Sequence, residues 1–172
     1  MKTNKNDTTL ALEQQLRRNI SKVGVFVCGE VTIGFNQKKP ERVDILSIDT
    51  KGIIRCYEVK SSVSDFRSKA KWTFIGHYNY FCMPEDIYEK VKTEIPSHVG
   101  VYVYGTCVKK PKKQEVPPEM LQTVMMSMIR SLSRDAEKLH KSENPRIIEQ
   151  YETQITRLKN ENHKLRYPKR YL

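Results

Sequence analysis

Apolar residues recur along this chain with two periods, one helical and one extended. In residues 9–20, Leu12, Leu16 and Ile20 fall four apart, the spacing of one helix face, behind N-cap candidates at Asp7, Thr8 and Thr9. Residues 23–33 are rich in Val and Phe and read as a first strand or bent strand pair, interrupted at Gly29. Two β-branched runs then flank Thr50-Lys51-Gly52, a hairpin signature, within residues 43–60. Ser61, Ser62 and Ser64 supply N-cap chemistry for a helix over residues 64–72, which would bury Phe66, Ala70 and Trp72. Residues 78–83 read as a strand ended by Pro84, residues 85–94 as a short helix, and residues 99–104 as a last strand before Gly105. The order helix, three strands, helix, strand, helix, strand predicts an α/β sandwich with a mixed sheet.

Beyond the basic stretch Lys109-Lys110-Pro111-Lys112-Lys113, Pro117-Pro118 opens a helix reaching about Lys141. Its broad apolar face carries Leu121, Val124, Met125, Met128, Ile129, Leu132 and Leu139, and is expected to dock on the sheet. Asn144-Pro145 starts a further helix, cap followed by first-turn proline. There Ile148, Tyr151, Ile155, Leu158, Asn162 and Leu165 alternate three and four apart, an a/d seam with Asn162 at an a position. The expectation is a short parallel homodimeric coiled coil through residues 148–165; a helix folded back on the domain is the other reading. The domains expected are residues 1–115 for the sheet-bearing core, 116–143 for the helix packed on it, and 144–172 for the terminal helix.

The formal charge of +11, from 31 Lys and Arg against 20 Asp and Glu, points to an anionic partner, nucleic acid before membrane. A basic surface serving solubility alone would give the same number. Cys28, Cys56, Cys82 and Cys107 are scattered without a Cys-X-X-Cys pair or neighbouring His, which argues against a zinc site or a disulfide frame. His77 has no ligand partner at metal spacing and receives no role. No apolar run approaches membrane-spanning length and no signal-peptide pattern opens the chain, so a soluble, cytoplasmic protein is expected.

The hairpin changes the picture chemically. A three-residue loop 50–52 with Gly52 left-handed pairs Asp49 with Ile53 and, counting back, Asp44 with Glu58. Lys60 follows two residues later on the same face. Opposed carboxylates repel unless a cation lies between them, and a hard divalent ion takes one or two carboxylates plus phosphate oxygens. A neighbouring lysine can orient or deprotonate a water, or stabilise charge on a phosphate, which suits phosphodiester hydrolysis. A solvated strand face with a Glu–Lys pair is the plain alternative, and a four-residue loop 49–52 would set Asp44 opposite Tyr57 instead. Glu13 lies on or beside the buried stripe of the first helix, either paired, protonated or metal-bound, or at the stripe's edge in solvent. Lys38 and Lys39 in the loop before the hairpin, and Arg67, Lys69 and Lys71 in the helix after it, are the candidate phosphate contacts.

Asp44 followed by Glu58-Val59-Lys60 on a hairpin, after a Glu-bearing helix, resembles the PD-(D/E)XK nuclease superfamily. More narrowly, Glu58-Val59-Lys60-Ser61-Ser62 with Asp65-Phe66, Lys71-Trp72, Tyr78 and Phe81-Cys82-Met83-Pro84 resembles its MmcB-like DNA-repair proteins, over about residues 8–135. The resemblance implies a restriction-endonuclease-like αβββαβ core and DNA cleavage dependent on Mg²⁺, with Mn²⁺ as a possible substitute. It implies Asp44, Glu58 and the Val59 carbonyl as metal ligands, Lys60 as the catalytic lysine, and Glu13 as the helix-borne acid. The proline that opens the superfamily motif is absent, and Val43 stands in its place. The expectation is a deoxyribonuclease of repair, recombination or mobile-element type. Its rivals are a non-cleaving DNA-binding repair module with a vestigial site, and an oligomeric adaptor built around the terminal helix.

Overall fold

The computed structural model describes residues 7–34, 40–68 and 72–167. Lys38, Lys39, Lys69 and Lys71 lie outside the described residues. Six strands form one mixed sheet in sequential order: β1 (Val25–Ile33), β2 (Glu41–Asp49), β3 (Ile54–Val59), β4 (Tyr78–Met83), β5 (Gly100–Val103) and β6 (Thr106–Lys109). The β1–β2–β3 and β5–β6 pairs are antiparallel, whereas β3–β4 and β4–β5 are parallel. The two parallel joins need crossovers, supplied by residues 60–77 and by the short helix α3 (Glu85–Val91).

Helices cover both faces. On one, α1 (Asp7–Ile20) buries Leu12, Leu16 and Ile20 against Ile45, Tyr57, Val59, Tyr80 and Cys82, as its four-residue stripe requires. On the other, α4 (Pro118–Glu143) sets Val124 and Met128 against β1, β2 and β3 through Cys28, Leu46, Ile54 and Cys56. Beside them α2 (Val63–Phe66) and α3 place Phe66, Ile87 and Val91 against Phe81, Met83, Val101 and Val103. Trp72 and Phe74 pack into this cluster and meet Phe81 with centroids 5.0 and 5.1 Å away.

The β2–β3 hairpin has the three-residue loop its sequence calls for. Gly52 N–H donates to Asp49 O at 2.9 Å, Asp49 N–H donates to Ile53 O at 3.2 Å, and Gly52 takes φ +76°. The β3 entrance is fixed by His77, whose Nδ1 accepts a hydrogen bond from Ile54 N–H at 3.0 Å, while its carbonyl accepts from Gln114 N–H at 2.8 Å.

Three elements differ from their sequence reading. β6 replaces part of the expected basic linker: the Tyr104-Gly105 loop, both residues at positive φ, is a two-residue hairpin turn. The helix after the hairpin is a single turn, opened by Ser62 Oγ accepting from Asp65 N–H and closed at Arg67, and Ala70 of the expected longer helix lies outside the described residues. The apolar face of α4 divides: Val124 and Met128 are buried, whereas Met125, Ile129, Leu132 and Leu139 are exposed. After Ser131 the helix buries nothing, and the chain separates into the compact units Met1–Ser131 and Leu132–Leu172. The second unit holds the end of α4 and α5 (Pro145–Arg166), capped by Asn144.

Candidate active site

Pairing between β2 and β3 runs from Ile48↔Ile54 to Ile45↔Tyr57, so Asp44 and Glu58 are the next pair in register. There the strands part. Asp44 Oδ2 accepts a hydrogen bond from Val59 N–H at 2.9 Å, so a side chain takes over from the ladder. The neighbouring strand prepares this. Glu30, opposite Asp44 in the β1–β2 register, has φ +51°, a conformation rare for a non-glycine residue. Cys28 and Val31, and across from them Leu46 and Val43, all join one cluster, so the in–out alternation of both strands slips at this point.

Glu58 pairs with Phe81 and points to the face covered by α4, α2 and α3, while its neighbours Tyr57 and Val59 face α1. The Glu58 side chain lies deep: the residue is 6% exposed, its carboxylate accepts from the Thr73 backbone N–H, and Oε1 has no hydrogen-bond partner among the described residues. Burial first, and the Asp44 charge second, push its carboxyl up to about 8, against the pull of Lys60. Lys60 is also 6% exposed, with Nζ 3.7 Å from Asp65 Oδ1. Its own N–H donates to Cys82 O at 2.9 Å, continuing β3 alongside β4.

Asp44, Glu58 and Lys60 are therefore together, as the hairpin count requires. Glu13 rides on α1, whose buried stripe covers the other face of the sheet, and its charge acts on the thiol of Cys82, the partner of Val59 in the β3–β4 register. Among the described residues no group of three or more His, Cys, Asp or Glu side chains is placed to hold a metal, so the carboxylates of the cluster reduce to Asp44 and Glu58. Arg67 is not a loose cation, because its guanidinium grips Glu94 through Nη2 at 2.6 Å and Nε at 3.0 Å. Asp65 entered the sequence reading only as part of the family resemblance, with no site role, although Ser62-X-X-Asp65 is a capping pattern. The cap sets Asp65 on the first turn of α2, from where its carboxylate reaches back to Lys60 and to Ser61 N–H at 3.4 Å.

Chemically, the cluster offers hard oxygen donors at a point where a hairpin opens, one of them buried and incompletely satisfied, with an ammonium alongside. That combination defines an α/β protein with an acidic pair and a lysine at the end of a parted antiparallel ladder. The chain belongs to the MmcB-like DNA repair protein family, whose sequence profile matches residues 1–144. A solved structure of similar fold is the SPO1766 protein of unknown function from Silicibacter pomeroyi, 18% identical, with a TM-score of 0.67 over 81% of this chain and 95% of that one. No curated protein matches the sequence. Among the described residues no helix is long and apolar enough to cross a membrane.

Proposed function

We propose that this chain is a metal-dependent deoxyribonuclease acting in DNA repair, with a restriction-endonuclease-like core of the PD-(D/E)XK kind. The observation that carries the reading is Glu58: a buried carboxylate with one oxygen unpartnered among the described residues, set against a second acid and beside a buried lysine. A cation joining the two acids would take the place of the proton that burial and the Asp44 charge hold on Glu58. Membership of a DNA repair family and the +11 charge supply DNA as the substrate class.

The residues fit a hard divalent ion, which needs only one or two carboxylates and keeps several waters. Asp44, Glu58 and the Val59 carbonyl would hold Mg²⁺, or Mn²⁺ in its place, and the bound ion would supply Lewis-acid polarisation of the phosphate and a more acidic water. The remaining work falls to the chain itself. Lys60, tethered by Asp65, holds an ammonium beside the carboxylates, where it stabilises negative charge developing on the phosphate. Water attacks phosphorus, the bond to one ester oxygen breaks, and that oxygen leaves with a proton. Glu13, on the far face, is assigned no part in this chemistry.

Incubation with duplex, branched and single-stranded DNA plus Mg²⁺ or Mn²⁺ tests the reading. Cleavage that disappears in Glu58→Gln and Lys60→Ala, with folding intact, is expected. Salt-sensitive binding without cutting on any substrate would instead mark a DNA-binding module with a vestigial site.

A further inference from the structure

The terminal helix is built for a partner. α5 spans 22 residues and none of them is buried. Its seam residues Ile148, Tyr151, Ile155, Leu158 and Leu165 are between 39% and 81% exposed. The other positions are almost all polar, so the apolar stripe is narrow, the form of a coiled-coil seam rather than of a helix bedded on a domain. In proteins most of a helix's stability comes from packing its apolar face, and here that face has no cover among the described residues. The family profile ends at residue 144, one residue before α5 begins, so α5 is an addition to the domain that the family shares.

From these observations we infer that α5 pairs in parallel with α5 of a second copy of this chain. The seam is complementary to itself. With Ile148, Ile155 and Asn162 at a, and Tyr151, Leu158 and Leu165 at d, two layers stack isoleucine on isoleucine and two stack leucine on leucine. Isoleucine at a with leucine at d selects two strands, and Asn162 meets Asn162 of the second copy, amide to amide. An antiparallel pair would set Asn162 against an apolar d residue and leave its amide buried without a partner. In the parallel register Glu161 at g faces Arg166 at e of the other chain, an attractive pair. Within one chain Arg157 Nε donates to Glu161 Oε1 at 2.9 Å, leaving the second carboxylate oxygen for that contact. Each dimer carries two copies of the Asp44–Glu58–Lys60 cluster, one per chain.

The test is the solution mass of the full chain by sedimentation, at micromolar concentration and above. The expected result is twice the 20.2 kDa chain mass, falling to the single-chain value in Leu158→Glu, whose side chain is 62% exposed in the isolated chain and so is free to change without unfolding the domain. Glu161→Arg or Arg166→Glu alone weakens dimerisation several-fold, and the two together restore it. A single-chain mass for the natural sequence overturns the proposal, as does a dimer that survives Leu158→Glu. Failure of the double variant to recover overturns the parallel register. Unchanged circular dichroism of the β-sheet in Leu158→Glu separates loss of pairing from loss of fold.

Discussion

The carboxylate of Asp44 accepts the backbone N–H of Val59 at 2.9 Å, so one side chain both closes the end of a strand ladder and stands beside a buried acid. These two duties separate by substitution. Asp44→Asn keeps an oxygen for Val59 N–H and removes the charge that, second to burial, pushes the Glu58 carboxyl up. It is expected to melt no lower than the natural protein while losing about 10²–10³-fold in cleavage rate. Asp44→Ala loses the bond as well and costs about 1–3 kcal/mol by denaturant titration.

Glu58 sets a pH dependence whose sign follows from its environment. Its carboxyl titrates near 8 in the fold and in the ordinary carboxylate range when the chain is unfolded. The folded state therefore keeps a proton that the unfolded state has released. The stability this contributes is complete below the ordinary carboxylate range and is lost as pH rises through about 8. Thermal melts from pH 5 to pH 9 should fall across that window and flatten in Glu58→Gln. Adding Mg²⁺ should raise the melting point more at the alkaline end, because the ion competes with the proton, and should do nothing in Glu58→Gln.

Asp65 touches Lys60 at 3.7 Å and is itself half-exposed, so its part is to aim the ammonium rather than to react. Asp65→Asn keeps the capping geometry and should reduce the cleavage rate by about tenfold, against about 10²–10⁴-fold for Lys60→Ala. A steady-state comparison in which Asp65→Asn equals Lys60→Ala would assign Asp65 a direct role.

Arg67 and Glu94 neutralise each other at the surface. Glu94→Gln frees the guanidinium for a phosphate and should tighten DNA binding. In a plot of log affinity against log salt, the slope should steepen by about one contact's worth. Arg67→Ala should weaken binding modestly, because it leaves the Glu94 carboxylate uncompensated against the phosphates.

The legibility of this fold followed the local physics. The hairpin register was readable because Gly52 left the loop few ways to turn, and Asp44 opposite Glu58 followed by counting. Leu12, Leu16 and Ile20 are buried as their spacing demanded. What periodicity does not carry is which apolar surface will find cover. Val124 and Met128 met the sheet while Ile129 and Leu132, from the same broad face, did not. Glu13 shows the same limit: its helix was evident, yet only the packing decided that α1 lies across the sheet from Glu58. β6 was missed because Thr106, Cys107 and Val108 are few and were given no element, with Lys109 read as the start of the basic linker, although the Tyr104-Gly105 loop between β-branched neighbours was a hairpin signal.

His77, unremarkable as a metal ligand, turns out to be a latch sensitive to acid. Its ring nitrogen can receive the Ile54 N–H only while that nitrogen is bare, and burial, followed by the charges of Lys113 and Arg55, keeps the imidazole neutral below its usual range. Because the folded ring resists protonation, the stability it lends is present above the ordinary histidine range and drains away as the medium grows more acidic. Mild acid should accordingly loosen the first residue of the strand that carries, four residues on, the carboxylate of Glu58.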